Sequence, residues 1–173
     1  MERNMSNLSA GVFPSVILLL FLSAGATNDN MAPDFSLKDF QGKQFSLSAF
    51  KNHKAVILWL TNLCGGCQDK LAFIEKLNNE YSGKNIEVVA VSQLGKDRKT
   101  VEDIIRKYKL TTRFLYDPHG EATEKFTGKY VPNSCPLRNI FFIDKSGKII
   151  HSTHFPGISE EDILNHAKEL ALN

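Results

Sequence analysis

Residues 58–77, LWLTNLCGGCQDKLAFIEKL, join an apolar run to a helical pattern through two cysteines, Cys64 and Cys67, separated by Gly65-Gly66. The run begins at Ala55-Val56-Ile57-Leu58-Trp59-Leu60, and unbroken apolarity of that length fits a strand buried on both faces of a sheet. Past the cysteines, Leu71, Ile74, Leu77 and Tyr81 recur at helical spacing. The local order is strand, Cys-x-x-Cys, helix.

Working outward, Phe35 to Leu37 and Gln44 to Leu47 flank a turn around Gln41-Gly42-Lys43 and read as a short hairpin. Ile86 to Val91 reads as a second buried strand, and KTVEDIIRKYKL as a helix with Val101, Ile104, Ile105 and Tyr108 on one face. A short strand at Arg113 to Tyr116 and a brief helix from Gly120 to Phe126 follow. Asn139 to Ile143, the turn Lys145-Ser146-Gly147 and Lys148 to Ser152 make a second hairpin. A last helix opens with Ser159-Glu160-Glu161-Asp162, close to a capping box, and turns Ile163, Ala167 and Leu170 inward. Alternating strands and helices closed by a hairpin and a helix predict an α/β fold, a three-layer sandwich around a mixed sheet.

The chain has 173 residues, 42% of them hydrophobic, enough for one core and short for two. Its formal charge of +2 is nearly balanced and no Lys/Arg block tracks a phosphate backbone, so nucleic acid is not an implied partner. Residues 1–26 read as a signal peptide: Arg3, the apolar Val16 to Leu22, then Ala24-Gly25-Ala26, with cleavage leaving residues 27–173 as the domain. The alternative is an N-terminal anchor, the one way this chain would meet a membrane. Either form places the domain outside the reducing cytosol, periplasmic or otherwise extracytoplasmic. The sequons at Asn4 and Asn7 precede the apolar segment and leave with it.

Three cysteines, Cys64, Cys67 and Cys135, are too few for a disulfide scaffold. A thiol at a helix start meets free backbone N–H groups and the positive end of the helix dipole, which favour the thiolate. Cys64 takes that place, and Cys67, one turn on, is near enough to resolve a mixed disulfide. The Gly-Gly spacer carries neither charge nor imidazole to tune the pair. Two inert buried thiols are the plainer reading, but a close pair in an exported chain oxidises. Zinc needs about four ligands, and only Cys135, His151 and His154 are available to join. Copper held by the two thiolates and a histidine, as in a metallochaperone, stands as a separate reading. His53, His119, His151 and His154 fall in turns and at a strand end and read as solvated. GKDRKT at 95–100 lacks the spacing of a phosphate cradle, and no cofactor or resident metal is called for.

APDFSLKDFQGKQFSLSAFKNHKAVILWL, the strand-CxxC-helix unit and FFIDKSGKII together resemble the thioredoxin-fold branch that holds TlpA/ResA-like thiol-disulfide oxidoreductases and AhpC/TSA-type peroxiredoxins, over about residues 32 to 170. The resemblance implies a thioredoxin-like α/β/α sandwich with an N-terminal β-hairpin. It implies exported disulfide exchange with protein thiols or disulfides and an upstream redox partner. It also carries a second reading. Peroxiredoxins show P-x-x-x-T-x-x-C and an arginine from a later strand; here Thr61, Cys64 and Arg138 match, while Ile57 stands at the proline position. Thr61 and Arg138 would then orient peroxide at Cys64. In TlpA/ResA-like proteins a cis-proline stands where Arg138 is, and Pro136 or Pro132 is expected to take its substrate-facing role. Cys135, beside Pro136, is read either as an unpaired structural thiol or as a third redox partner.

Overall fold

The computed structural model describes residues 1, 30–93, 97–129, 131, 134–155 and 157–172. The expected leader, Pro132, and Gly95 and Lys96 of the GKDRKT stretch lie outside them.

Strand β1 (Ser36–Lys38) and strand β2 (Gln44–Ser46) form the N-terminal hairpin, and Leu47 leaves it in a 3₁₀ turn rather than extending β2. Then come β3 (Ala55–Thr61), α1 (Gly65–Gln68), α2 (Leu71–Tyr81), β4 (Ile86–Ser92), α3 (Arg98–Lys107), β5 (Arg113–Tyr116), α4 (Glu121–Thr127), β6 (Ile140–Ile143), β7 (Ile149–Thr153) and α5 (Glu160–Leu172). The main sheet runs β5-β4-β3-β6-β7. Strands β3, β4 and β5 are parallel, joined through helices, whereas β6 is antiparallel to both β3 and β7. The mixed sheet expected from the sequence is therefore present, with β3 at its centre.

All seven residues of β3 are buried because the strand is covered on both sides. Side chains alternate across a strand, so Ala55, Ile57 and Trp59 enter the core beneath α2 and α5, with Leu71, Ile74, Leu77, Ile163 and Ala167. Val56, Leu58 and Leu60 enter the opposite core, with Phe35 and Phe45 of the hairpin, Ala122 of α4 and Phe141. Each fully buried aliphatic side chain contributes roughly 1.5–3 kcal/mol, so two cores on one strand fix its register against slippage.

Two helical expectations are corrected. The helix after the cysteines is broken at Asp69-Lys70 into α1 and α2, and Lys70 has φ −96 and ψ −4. Tyr108 does not join the buried face of α3: it is the C-cap and is exposed, since the chain leaves the helix there and Lys109 turns left-handed at φ 52. The connection into β5 is held by Glu75 of α2. Its carboxylate accepts the Thr111 and Thr112 amides at 2.9 and 3.0 Å, the Thr112 hydroxyl at 2.8 Å and the Thr111 hydroxyl.

The histidines are corrected in part. His53 and His119 are exposed, but His151 and His154 are half-buried. Helix α5 lies over the β6–β7 hairpin and stacks His166 on His151, ring centroids 3.5 Å apart, both against Phe142. Burial, then the neighbouring His166, hold His151 below its ordinary value, with Glu169 opposing. No helix among the described residues is long and apolar enough to cross a membrane.

Candidate active site

The carboxyl end of β3 is where the chain's strand order reverses, β4 lying to one side and β6 to the other. Open α/β sheets leave a crevice at such a point. Residues 61–67 enter it. Thr61 ends the strand, Asn62 and Leu63 form a tight connection, and Cys64 is the N-cap of α1, in extended conformation at φ −62, ψ 171.

The connection is held locally. The Thr61 hydroxyl accepts the Leu63 amide at 3.0 Å and Asn62 Oδ1 accepts the Cys64 amide at 3.1 Å. Leu63 is left-handed at φ 51, which costs a side-chain-bearing residue about 1–2 kcal/mol. Its fully buried side chain, in the core beneath α2, offsets that cost.

The sulfurs of Cys64 and Cys67 lie 3.4 Å apart, as two thiols in contact and not as the ~2 Å bond of a disulfide. Cys64 is half-buried and Cys67 buried, and this difference drives their acidities apart. Burial opposes the Cys64 thiolate. Hydrogen bonds from the Cys67 amide, the Cys67 and Cys135 thiols and the Gly66 amide outweigh it and hold Cys64 below its ordinary value. Burial dominates at Cys67, against a hydrogen bond with Thr61, and with the nearby Cys64 and Cys135 pushes it up to about 12. The two thiols are thus shifted in opposite directions.

Cys135 is exposed, yet its sulfur joins the other two, all three within 4.8 Å of one another. Burial, then the charge of Cys64, push the Cys135 thiol above its ordinary value. Among the described residues this is the one His/Cys/Asp/Glu grouping with the reach to hold an ion, and no histidine belongs to it. A soft, thiophilic ion such as Cu(I) suits three sulfurs. The histidine of the copper reading is thus not at the pair; Cys135 is.

Asn62 joins the pieces and the sequence reading missed it. It is 6% exposed, and its Oδ1 faces the Cys67 sulfur at 3.6 Å and the Cys135 sulfur at 3.9 Å, while Nδ2 donates to the Ser134 carbonyl at 3.1 Å. An asparagine two residues before a cysteine at a helix entry is the available signal, since Asn side chains capture the amide two residues on.

The remaining expected site residues fall as follows. Thr61 is at the site, but its hydroxyl serves the Leu63 amide and Cys67 rather than Cys64. Pro136 is half-buried beside Cys135, and its carbonyl accepts from His154 Nδ1 at 3.0 Å. Arg138 is exposed and is not among the groups whose hydrogen bonds converge on the sulfurs. It lines a groove with Phe126, Val131, Ser134, Pro136 and Leu137, and a second with Ile149 and His151. The first groove carries Leu137, 93% exposed, and Val131, 59% exposed, next to the Cys135 loop.

The chain is 25% identical to the thiol-disulfide oxidoreductase ResA of Geobacillus thermodenitrificans, over 92% of this chain and 95% of that protein. It is 35% identical to the thioredoxin-like protein YneN of Bacillus subtilis, over 56% of this chain and 57% of that one. A thiol:disulfide interchange protein of the thioredoxin family from Chlorobium tepidum superposes with a TM-score of 0.68 at 20% identity, covering 82% of this chain and 96% of the other. A thiol:disulfide interchange protein from Bacteroides gives 0.66 at 19% identity, over 83% and 90%. These likenesses give the fold as that of thioredoxin. The AhpC/TSA family model matches residues 29–152, and the chain belongs to the AhpC/TSA family.

Proposed function

We propose that the chain is an extracytoplasmic thiol-disulfide oxidoreductase with Cys64 as nucleophile and Cys67 as resolving thiol. The observation that carries this is the pair itself: sulfurs 3.4 Å apart, one lowered and one raised in acidity, at the carboxyl end of the central strand. The Cys64 thiolate attacks a substrate disulfide, one substrate sulfur leaves as thiolate, and a mixed disulfide forms. Cys67 then gives up its proton and attacks Cys64, releasing the second substrate thiol and leaving Cys64–Cys67 oxidised. The exposed apolar rim of Leu137 and Val131 beside the thiols supports a polypeptide as the disulfide's carrier. Names of relatives such as thiol-disulfide oxidoreductase ResA support the same class. The extracytoplasmic setting rests on the leader-like residues 1–26.

The test mixes reduced protein with a disulfide-bonded polypeptide. Wild type exchanges and ends with Cys64 and Cys67 joined as a disulfide, and Cys64→Ser is inactive. Full activity of Cys64→Ser ends the proposal. Expression of the whole chain in a bacterium should yield a mature protein starting at Thr27, or a membrane-retained one; cytosolic protein with an intact leader ends the location.

Peroxide reduction at Cys64 is the other enzymatic reading. The geometry favours it less, because the Thr61 hydroxyl is engaged elsewhere and Arg138 lines other grooves. Stopped-flow mixing with hydrogen peroxide separates the two: loss of the Cys64 thiol no faster than in free cysteine removes the peroxidase. Copper carriage draws on the three clustered sulfurs. Failure to retain Cu(I) against a competing chelator under anaerobic conditions removes it.

A further inference from the structure

Both neighbours of Cys135 are tied down. Ser134 gives its carbonyl to Asn62 Nδ2 at 3.1 Å, and Pro136 gives its carbonyl to His154 Nδ1 at 3.0 Å. The Ser134 hydroxyl and amide both turn back to the Val131 carbonyl, at 2.6 and 3.1 Å. The loop is thereby fastened on one side to the cysteine connection and on the other to the segment after β7. Between these ties the Cys135 sulfur meets Cys64, Cys67 and Asn62 Oδ1. An exposed residue of a long connection has no need of such fixation unless its position matters.

We propose that Cys135 is a second resolving thiol: the mixed disulfide formed on Cys64 is released either by Cys67 or by Cys135, with Asn62 keeping both sulfurs in range. The inference rests on the disulfide-exchange reading and adds a residue to it. In the added step the Cys135 thiol loses its proton to solvent and its sulfur attacks the Cys64 sulfur. The bond between Cys64 and the substrate breaks, the substrate sulfur leaves with the electron pair and takes up a proton, and Cys64–Cys135 becomes the disulfide. One disulfide is consumed and one is formed, so no outside oxidant is needed.

The chemistry favours a second route. Attack requires thiolate, and burial opposes the thiolate at Cys67. At both Cys67 and Cys135 burial is the largest cause of the upward shift, and the charge of Cys64 and a hydrogen bond with it add to it. The Cys64 contributions vanish at both once Cys64 is bonded to substrate. What separates the two is access: Cys67 is buried, whereas Cys135 is exposed and can hand its proton directly to solvent.

The experiment uses reduced full-length protein and one equivalent of dithio-bis-nitrobenzoate, which releases a coloured thiol at each exchange. Attack without resolution releases one coloured thiol per reagent; resolution releases a second. Wild type and Cys67→Ser are expected to release two, and Cys67→Ser/Cys135→Ser one, with a Cys64–Cys135 peptide found by mass mapping in Cys67→Ser. Release stopping at one in Cys67→Ser, with the reagent still on Cys64, overturns the proposal while leaving the Cys64/Cys67 reading intact. If Cys67→Ser loses its fold by circular dichroism, Cys67→Ala replaces it, and oxidised wild type is mapped as well. Detection of Cys64–Cys135 beside Cys64–Cys67 in wild type supports the inference, and its absence overturns it. Wild type reacting no faster than free cysteine instead sinks the exchange reading and the proposal with it.

Discussion

At the β1–β2 and β6–β7 hairpins the chain makes the same turn twice, as Asp39-Phe40-Gln41-Gly42-Lys43 and Asp144-Lys145-Ser146-Gly147-Lys148. In each, the aspartate carboxylate accepts the lysine amide four residues on, at 2.8 and 2.9 Å, and a glycine takes the positive φ, 81 and 87. The glycine amide closes on the aspartate carbonyl, at 3.0 and 2.9 Å. The connection Thr61-Asn62-Leu63-Cys64 also pairs a side-chain acceptor with a positive φ, but the amide accepted is two residues on and both groups differ in kind. The acceptor of the nearby amide is a neutral asparagine, and the positive φ falls on a buried leucine. A carboxylate satisfies backbone amides better than an amide oxygen does, but one beside Cys64 would oppose its thiolate. Glycine adopts φ > 0 freely, but it has no side chain to hold the connection in the core. The difference teaches that the turn chemistry is generic and the charge and anchoring are what the thiols demand.

Exchanging the acceptors tests this most severely. Asn62→Asp places a negative charge beside the thiols and is expected to raise the Cys64 thiol, slowing its alkylation by iodoacetamide at pH 7 by up to about 10-fold. A rate within twofold of wild type would show that the charge at this position is immaterial. Leu63→Ala keeps the turn and removes the anchor, at a cost of about 2–5 kcal/mol of stability by urea unfolding of the reduced protein. An effect below about 1 kcal/mol would mean that the core does not hold the connection.

The two thiols also make the reduced protein's stability depend on pH in opposite senses. Cys64 is lowered from 9.0, so between its native value and 9.0 the unfolded chain binds the extra proton and stability rises with pH. Cys67 is raised from 9.0 to about 12, so across that interval the folded chain holds the extra proton and stability falls. The difference in urea midpoint between wild type and Cys64→Ser/Cys67→Ser should therefore peak near pH 9, and a difference that does not vary with pH contradicts the divergence. The reciprocal exchange, Asp39→Asn, is expected to cost under about 1 kcal/mol and to leave exchange activity unchanged, since an acceptor remains and no thiol is near. Smallest is Gly65→Ala. A Cβ there meets nothing within 4 Å, so the gain in melting stability should be about 0.4–1 kcal/mol.

The sheet was legible in the sequence because β3 is apolar from Ala55 to Leu60 and β4 from Val88 to Val91, a pattern that fits strands covered on both faces. Leu71, Ile74, Leu77 and Tyr81 all proved buried for the same periodic reason. The end of α3 was less legible: Tyr108 fits the helical spacing, but a left-handed Lys109 stops the helix before the tyrosine can pack. His151 reads as solvated in the sequence because nothing local shows that α5 will lay His166 over it.

Within the site, the nearness of Cys64 and Cys67 is a local matter, four residues on one helical turn, and it follows from the spacing alone. The lowering of Cys64 is largely local as well, since the amides of Gly66 and Cys67 at the start of α1 contribute to it. The rise at Cys67 is not local, because it comes from the core closing over that thiol. The same holds for Asn62 and Cys135, whose meeting depends on a loop reaching β3 from the far end of the chain. Spacing carries short-range geometry, as an apolar run carries burial. Charge, desolvation and the company a thiol keeps depend on which distant segments pack around it, and in this protein that packing raises one thiol of the pair above the other and brings a third sulfur within reach.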